Sequence, residues 1–230
     1  MKNNILRALP ARELKLIVPQ LKAVDLEKGA VLYEAGEPLT HVYFPAGSMA
    51  SYLSSTTEGQ TIEVCVIGNE GIIGGASLLS DTAAFRALVQ IGGPAYKMST
   101  VALRQEFKRC DVLHALLLGY TNALLIQVAQ TAVCNKFHSV EERFCRWLLL
   151  AQDRAESSQL TLTQDSLARI LGTRRASVTV VAGLMQKAGL IRYSRGVIAI
   201  LDRPRLELAA CECYETIAAA YSYVARKTSL

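Results

Sequence analysis

Arginine and hydroxyl side chains cluster between residues 163 and 195, and both kinds of group can bind nucleic acids. A guanidinium pairs with phosphates or with guanine, and a hydroxyl exchanges hydrogen bonds with phosphates and base edges. The candidate contact residues are Thr163, Thr173, Arg174, Arg175, Ser177, Thr179, Arg192 and Arg195. These side chains can act together only if the chain presents them on one surface.

Two short helices joined at a glycine would provide that surface. Apolar residues recur at helical spacing on both sides of Gly172, so each helix has one apolar stripe and one polar face. They are Leu167, Ala168 and Leu171 before the glycine and Val178, Val181 and Leu184 after it. Glycine enters the left-handed backbone region without a steric cost, which suits the turn. We therefore expect a helix-turn-helix in which Thr173 caps the second helix.

A β-hairpin is expected directly after the second helix. Residues 190–192 and 197–201 are apolar or β-branched runs, and they flank the turn residues 193–196. Such a hairpin would form the wing of a winged helix-turn-helix, with Arg192 and Arg195 near its tip.

The excess positive charge of the chain lies in this same segment. Residues 161–203 hold seven basic and two acidic residues, an excess of +5, and the net charge of the whole chain is also +5. Two amphipathic helices joined at a glycine also occur in domains that bind no nucleic acid. The charge distribution favours nucleic acid, because phosphates attract a basic surface.

Length and composition indicate a folded protein of two domains, with 230 residues of which 51% are hydrophobic. The first residues are broken by Pro10 and interleaved with Glu13 and Lys15, unlike the apolar run of a signal peptide, so we expect a cytoplasmic protein. Six cysteines without a CxxC pair are expected to be reduced.

Neither a metal site nor a catalytic site is predicted. His41, His114 and His138 lie in different predicted elements without a partner at ligand spacing, and we expect packing or surface roles for them. Cys211 and Cys213 are the closest thiol pair, but residues two apart on a helix point to different faces. A redox role for them stays open. The sequence contains no recognisable nucleophile–base, phosphate-loop or paired-carboxylate motif, so we do not expect an enzyme.

Short β-rich runs separated by glycines follow a predicted opening helix at residues 11–21. The runs are Ala30–Tyr33, His41–Phe44, Met49–Leu53, Thr61–Ile67, Arg86–Ile91 and Ala95–Met98. Many short strands at nearly even spacing predict a small antiparallel barrel or roll. With the helices that follow, the predicted fold class is α+β.

Residues 112–134 form a long run without charged side chains when histidine is neutral. The run is long enough to cross a membrane at about 20 residues, but polar residues interrupt it and no basic flank marks its ends. A helix that is apolar nearly all round is otherwise buried on two sides, here by the roll and by the same helix of a second subunit. The residues expected to face one partner are Leu113, Leu117, Tyr120 and Leu124, and those expected to face the other are Leu116, Ala123 and Val128.

The remaining helices follow a predicted hinge at residues 135–138. Ser139 and Glu142 have the spacing of a capping box, which predicts a helix start at Ser139. A final helix is predicted near the C-terminus from apolar residues at helical spacing, which are Tyr214, Ile217, Tyr221 and Val224.

A glycine-punctuated roll, a long apolar helix and a winged helix-turn-helix, in that order, resemble the CRP/FNR family of bacterial transcription regulators. The most specific stretch is LTQDSLARILGTRRASVTVVAGL, followed by KAGLI and the RG of the wing, and GAVLYEAGEPLTHVYFPAG is similar to the family's roll. The resemblance implies a cyclic-nucleotide-binding-like roll (a double-stranded β-helix), a homodimer through the long helix, and palindromic double-stranded DNA as partner. It also implies an effector pocket between roll and helix.

The resemblance places that pocket near Gly74, Gly75, Phe85, Arg86, Tyr120 and Asn122. Members that bind cyclic AMP have a glutamate for the ribose and an arginine for the phosphate, but here Gly75 takes the glutamate's place. Phe85 takes the arginine's place unless the alignment shifts by one residue to Arg86. A buried phosphate without a cation is strongly disfavoured, so we do not expect cyclic AMP to bind.

Two further departures concern cofactors and base contacts. No cysteine precedes Cys65, unlike relatives that hold an iron–sulfur cluster near the N-terminus, so neither that cluster nor haem is predicted. Ala176 and Val180 stand where the cyclic-AMP receptor has further base-contacting residues, and Arg175 is the matching one.

The favoured function is a dimeric transcription regulator, with an unidentified effector and RNA polymerase as further expected partners. The alternative is a ligand-sensing protein whose helix-turn-helix contacts proteins. The predicted division is an effector domain at 1–110, a dimerisation helix and hinge at 111–138, and a DNA-binding domain at 139–230.

Overall fold

The first half of the chain forms two antiparallel sheets that make the predicted roll. The computed structural model describes residues 1–226, with side chains as far as Ser222. One sheet has the order β1 (Lys22–Leu26), β7 (Gly93–Ser99) and β3 (His41–Pro45). The other has the order β2 (Val31–Tyr33), β6 (Arg86–Ile91), β4 (Met49–Ser55) and β5 (Thr61–Ile67). The predicted antiparallel roll is confirmed.

Three short helices around the roll differ from the prediction. The opening helix is split into α1 (Asn4–Arg7) and α2 (Ala11–Ile17), followed by a 3-10 turn at Val18–Gln20. The helix α3 (Thr100–Arg109) was not predicted, although Ser99 caps it by accepting from the Ala102 N–H. Strand β1 was also not predicted, because in KAVDL only Leu26 is buried and apolar alternation is therefore absent.

The long apolar run is one helix, α4 (Asp111–Phe137), 27 residues long. It is long and apolar enough to cross a membrane by length and composition alone, but soluble core helices pass the same test. The predicted assignment of its faces is wrong. Leu113, Leu116, Leu117 and Tyr120 all belong to the buried apolar cluster of the roll, so Leu116 does not face a second surface.

The second half begins with α5 (Val140–Ala155), whose capping box between Ser139 and Glu142 is confirmed. The elements that follow are β8 (Gln159–Thr161), α6 (Gln164–Leu171), α7 (Arg175–Lys187), β9 (Ile191–Ser194), β10 (Val197–Ile200), α8 (Arg203–Leu208) and α9 (Cys213–Arg226). The strands form an antiparallel wing in the order β8-β10-β9. Strand β8, which was not predicted, extends the predicted hairpin.

The connection between the halves is shorter than the predicted hinge. Helix α4 continues to Phe137, so that His138 ends α4 and Ser139 caps α5. The final helix α9 packs along α4 and also contacts α5. The side chain of Val224 and residues 227–230 lie outside the described residues.

The roll and the C-terminal half share a buried contact. Met49 and Val66 of the roll belong to the same apolar cluster as Trp147 of α5. The Trp147 indole N–H donates to the buried Glu63 carboxylate at 2.7 Å, and Ser51 hydrogen-bonds the same carboxylate. Polar atoms of both halves are thus paired across the interface, and these hydrogen bonds connect the roll directly to α5.

Candidate nucleic-acid interface

The turn between α6 and α7 is built around Gly172. Thr163 caps α6 by accepting from the Ser166 N–H at 3.1 Å, so one role of its hydroxyl is structural. Gly172 ends that helix in the left-handed region, with φ of 58°. The next residue, Thr173, donates its backbone N–H to the carbonyl of Ala168 at 3.0 Å, which closes the C-terminal cap of α6.

The predicted cap of α7 is therefore wrong. Because Thr173 completes the preceding helix, the N-cap position falls on Arg174, which makes no side-chain capping hydrogen bond. Helix α7 starts at Arg175, and the first N–H groups of this helix are not capped by the Arg174 side chain. Free N–H groups at a helix start attract anions such as phosphate.

The buried face of α7 consists of Val178, Val181, Ala182 and Met185, at the spacing of one helical stripe. Leu184 is predicted on this face but is 43% exposed, because six residues from Val178 the helix has turned the side chain away.

Arg175 and Arg195 line one groove between α7 and the wing. The groove has a volume of about 370 Å³, and its other lining residues are Thr163, Gln164, Asp165, Tyr193 and Gly196. Arg195 and Gly196 form the wing's tip with positive φ of 49° and 75°, as a two-residue type I′ hairpin requires. Tyr193 anchors the wing by donating its hydroxyl to the Leu162 carbonyl at 2.9 Å.

The side chain of Arg175 is held only weakly. Its Nε lies 3.7 Å from Asp165 Oδ1, and both side chains are more than half exposed. Such a surface pair contributes about 0.2–1 kcal/mol. A phosphate or a guanine can therefore displace Asp165 at little cost.

The other candidate contact residues lie on two sides of this groove. Arg174 and Ser177 line a neighbouring cleft of about 1210 Å³ between α7 and the β4–β5 hairpin of the roll, together with Thr173. Thr179 is exposed, but its hydroxyl already has two acceptors within hydrogen-bonding distance. They are Gln164 Oε1 at 2.9 Å and the Arg175 carbonyl oxygen at 3.1 Å. Arg192 is exposed on β9.

The expected effector pocket is almost filled by aromatic side chains. Gly74 and Phe85 line a cavity of only about 10 Å³ together with Tyr33 and Tyr52. Phe85 stacks on Tyr52 with ring centroids 5.8 Å apart, and the Tyr52 hydroxyl accepts from the Gly74 N–H at 2.7 Å. Ligand sites usually measure about 300–1,000 Å³.

The remaining residues of the predicted pocket are not gathered there. Tyr120 is buried behind it and donates its hydroxyl to the Ile72 carbonyl at 3.1 Å, and a side chain at Gly75 would meet the Tyr120 ring. Arg86 pairs with Glu34 at 3.4 Å, and both side chains are partly exposed. Asn122 is exposed on the outer face of α4, because the helix turns it away from the roll.

A cleft of about 350 Å³ lies elsewhere, among α1, α4 and α9. Ile5, Glu70, Leu116 and Tyr221 are among its lining residues. None of the residues predicted for the effector pocket lines this cleft.

The structure brings together four side chains for which the sequence suggested no common site. Cys134, His138, Cys211 and Cys213 place their sulfur and nitrogen atoms within 4.8 Å of one another. Cys211 and Cys213 point to one cluster because Cys211 precedes α9 and does not lie on it. His138 therefore has cysteine neighbours in space that its position in the sequence did not reveal. The i, i+4 spacing of Cys134 and His138 was the available signal, since it puts both on one helix face.

Comparison with known proteins identifies the C-terminal domain. The family model of the Crp-like helix-turn-helix domain matches residues 142–209. No curated protein matches the chain in sequence.

Solved structures show the same fold over most of the chain at low sequence identity. FixK2 from Bradyrhizobium japonicum is 15% identical with a TM-score of 0.71, over 83% of this chain and 98% of FixK2. The c-di-GMP-responsive global regulator CLP from Xanthomonas campestris is 18% identical with a TM-score of 0.66, over 84% of this chain and 100% of CLP. A regulator of the Crp/Fnr family from Eubacterium rectale is 18% identical with a TM-score of 0.66, over 89% of this chain and 96% of that protein.

These matches confirm the resemblance seen in the sequence. Residues 142–209 are a Crp-like helix-turn-helix domain, and the chain has the fold of the CRP/FNR family of transcription regulators.

Proposed function

We propose that the protein is a homodimeric, sequence-specific DNA-binding transcription regulator. The observation that carries this proposal is the groove in which Arg175 of the recognition helix α7 and Arg195 of the wing face the same space. The groove lies in the segment that holds the chain's positive charge. A basic helix-and-wing surface in a Crp-like domain is suited to a major groove and its flanking phosphates.

In this proposal the contact residues divide between reading and positioning. Arg175 at the start of α7 reads a base edge, since a bidentate arginine–guanine contact contributes about 1–3 kcal/mol of discrimination. Arg192 and Arg195 contact phosphates. Arg174 and Ser177, near the start of α7, contact the backbone of the same DNA strand. Thr163, Thr173 and Thr179 act chiefly by holding the turn and the groove, because their backbone or hydroxyl groups are already used within it.

The exposed face of α4 supports the homodimer. Its outward residues follow a heptad spacing of three and four, and they are Ala115, Leu118, Asn122, Leu125, Ala129 and Ala132. Leu125 is 65% exposed in the single chain. One heptad position holds two leucines and an alanine, and the other holds an asparagine between two alanines. Leucine at one position and a single asparagine at the other occur in parallel two-stranded coiled coils. We therefore infer that Asn122 helps to fix the register of the two α4 helices in the dimer.

Several finer features belong to the same proposal. The divisions 1–110, 111–138 and 139–230 act as effector, dimerisation and DNA-binding segments of a non-catalytic cytoplasmic protein that contacts RNA polymerase. The effector is not cyclic AMP, because aromatic rings occupy the expected site. A palindromic operator follows from a two-fold dimer.

The proposal is tested by selecting bound DNA from a random pool with the purified protein. Binding to the selected site and to mixed-sequence DNA is then measured by fluorescence anisotropy across a salt series. Arg175→Ala is expected to weaken the selected site by roughly ten- to hundredfold and to relax preference at one base pair per half-site. Arg195→Ala is expected to weaken both DNAs and to lower the salt slope by about 1 for each phosphate that each subunit no longer neutralises.

Arg12→Ala is the matched control, because Arg12 is an exposed arginine on α2, outside the helix-turn-helix. This variant should bind as the unchanged protein does. If no sequence is enriched and mixed DNA is not bound even at low salt, DNA binding is refuted. The helix-turn-helix would then be assigned to protein contacts.

A further inference from the structure

The cluster of Cys134, His138, Cys211 and Cys213 lies where α4 ends and α9 begins. Cys134 Sγ and Cys211 Sγ are 3.5 Å apart, and Cys213 Sγ is 3.4 Å from His138 Nδ1. All three cysteines are buried, with exposures of 0%, 4% and 0% for Cys134, Cys211 and Cys213. Three sulfurs and one imidazole nitrogen therefore converge on one small, enclosed volume.

The distances agree with the edges of a tetrahedron around one metal ion. Zn²⁺ binds sulfur at about 2.3 Å and nitrogen at about 2.0 Å, so two sulfurs lie about 3.8 Å apart and a sulfur and a nitrogen about 3.5 Å apart. The two shortest distances, 3.5 Å between the Cys134 and Cys211 sulfurs and 3.4 Å between Cys213 Sγ and His138 Nδ1, are close to these values, and all ligand atoms lie within 4.8 Å of one another. Three sulfurs and one nitrogen are also a ligand set typical of structural zinc sites.

The neighbours of the cluster have the arrangement that supports metal ligands. His138 points Nδ1 into the cluster and places Nε2 3.2 Å from Glu212 Oε1. A carboxylate on the second ring nitrogen fixes the tautomer that leaves the first nitrogen free to bind a metal. Gln130 donates its amide to Cys213 Sγ at 3.2 Å, and a metal-bound sulfur can accept the same hydrogen bond.

Positive charge next to the cluster matches the charge of such a centre. One Zn²⁺ with three thiolates and a neutral imidazole carries a net charge of −1. The Arg146 side chain is only 5% exposed, and its Nε finds no hydrogen-bond partner among the described residues. The positive charge of Arg146 acts on both Cys134 and Cys211. A buried cation is costly unless anions lie near it, and an anionic centre beside Arg146 would lower that cost.

We propose that Cys134, His138, Cys211 and Cys213 bind one Zn²⁺ ion in a closed, four-coordinate structural site. The three thiols lose their protons to solvent on binding, the imidazole binds as the neutral form, and no electron is transferred. Four protein ligands leave no open position for a substrate, so the role is structural. The site joins the end of the long helix α4 to the segment before α9, on either side of residues 139–210.

The ion would therefore hold the two ends of the C-terminal domain together, next to the connection at His138 and Ser139. This inference stands apart from the proposed DNA binding, because it concerns residues outside the groove. Its test uses metal content and spectroscopy, so either proposal can fail while the other holds.

The test begins with the full chain purified anaerobically with a reductant and loaded with zinc sulfate. After removal of free metal, elemental analysis is expected to find one zinc per chain. Cobalt(II) in place of zinc is expected to give the intense visible bands of a tetrahedral ion and a thiolate-to-cobalt charge-transfer band in the near ultraviolet.

Variants then assign the ligands. Cys134→Ser and Cys211→Ser are expected to lose most of the bound metal, while His138→Cys should retain it because a fourth thiolate replaces the imidazole. Cys145→Ser is the matched control, since Cys145 is also buried but lies outside the cluster. This variant should bind one zinc per chain.

Several results would overturn the proposal. They are less than about a tenth of an equivalent of zinc in the loaded folded protein, a cobalt spectrum without thiolate charge transfer, or an iron–sulfur spectrum as purified. A Cys134–Cys211 disulfide that persists in mass spectra of the reduced preparation would overturn it as well. If a serine variant fails to fold, the cobalt spectrum of the unchanged protein decides.

Discussion

Glu63 is the buried acid at the contact between the roll and α5, and its replacement should change how stability depends on pH. Burial raises the pKa of Glu63 to about 7 from an ordinary value of 4.5, against the opposing effects of Ser51, Trp147, Arg146 and Arg154. Because the folded-state pKa is raised, the acid contributes stability that is fully present below pH 4.5 and is lost as the pH rises through 7.

The size of the effect follows from these two values. Relative to low pH, the raised pKa of Glu63 lowers the free energy of unfolding by about 1.4 kcal/mol at pH 5.5 and by about 3 kcal/mol at pH 8, because the unfolded state releases its proton more readily. Glu63→Gln keeps an acceptor for the Trp147 N–H and carries no charge. The variant should therefore gain about 2 kcal/mol relative to the unchanged protein between pH 5.5 and pH 8, or about 4–8 °C in Tm.

The assay is thermal unfolding followed by circular dichroism at fixed protein concentration and at several pH values. Glu58→Gln is the control, since Glu58 is exposed on the same β4–β5 hairpin. Its difference from the unchanged protein should not depend on pH in this range. An equal difference between Glu63→Gln and the unchanged protein at pH 5.5 and at pH 8 would refute the reasoning.

Three further predictions concern the turn, the cap and the dimer. Gly172→Ala should cost about 1–2 kcal/mol of stability because φ is 58°, whereas Gly183→Ala, in open space on α7, should gain about 0.5–1 kcal/mol in the same denaturant titration. Ser139→Ala should cost about 1 kcal/mol by removing the capping box, and an unchanged unfolding midpoint would contradict this. Leu125→Asp should give a monomer in light scattering, while Leu208→Asp, at an exposed leucine off α4, should leave the dimer intact.

Local patterns in the sequence predicted the C-terminal half well. The turn at Gly172, the capping box at Ser139 and the wing turn at Arg195 depend on neighbouring residues, and each is placed correctly. Where a local pattern is ambiguous, the prediction is wrong by a residue or two. The sequence favours Thr173 as the cap of α7 because it does not show that the Thr173 N–H completes the cap of α6.

Other features depended on contacts between distant segments. The outer face of α4 could not be identified in a run that is apolar all round, and packing of the roll and α9 decided that Asn122 faces outward. In the same way, the aromatic filling of the expected effector pocket joins Tyr33 to Phe85 across the roll.

The cysteine and histidine cluster shows this division most clearly. The sequence predicted a long helix over residues 112–134 from its apolar run and a final helix from Tyr214 onward from helical spacing, because both signals are local. Only the tertiary structure decided that Cys134 meets Cys211, because α9 folds back along α4 and buries both thiols. Cys134 and Cys211 are 77 positions apart in the chain, so their contact depends on that packing and not on any local preference of the sequence.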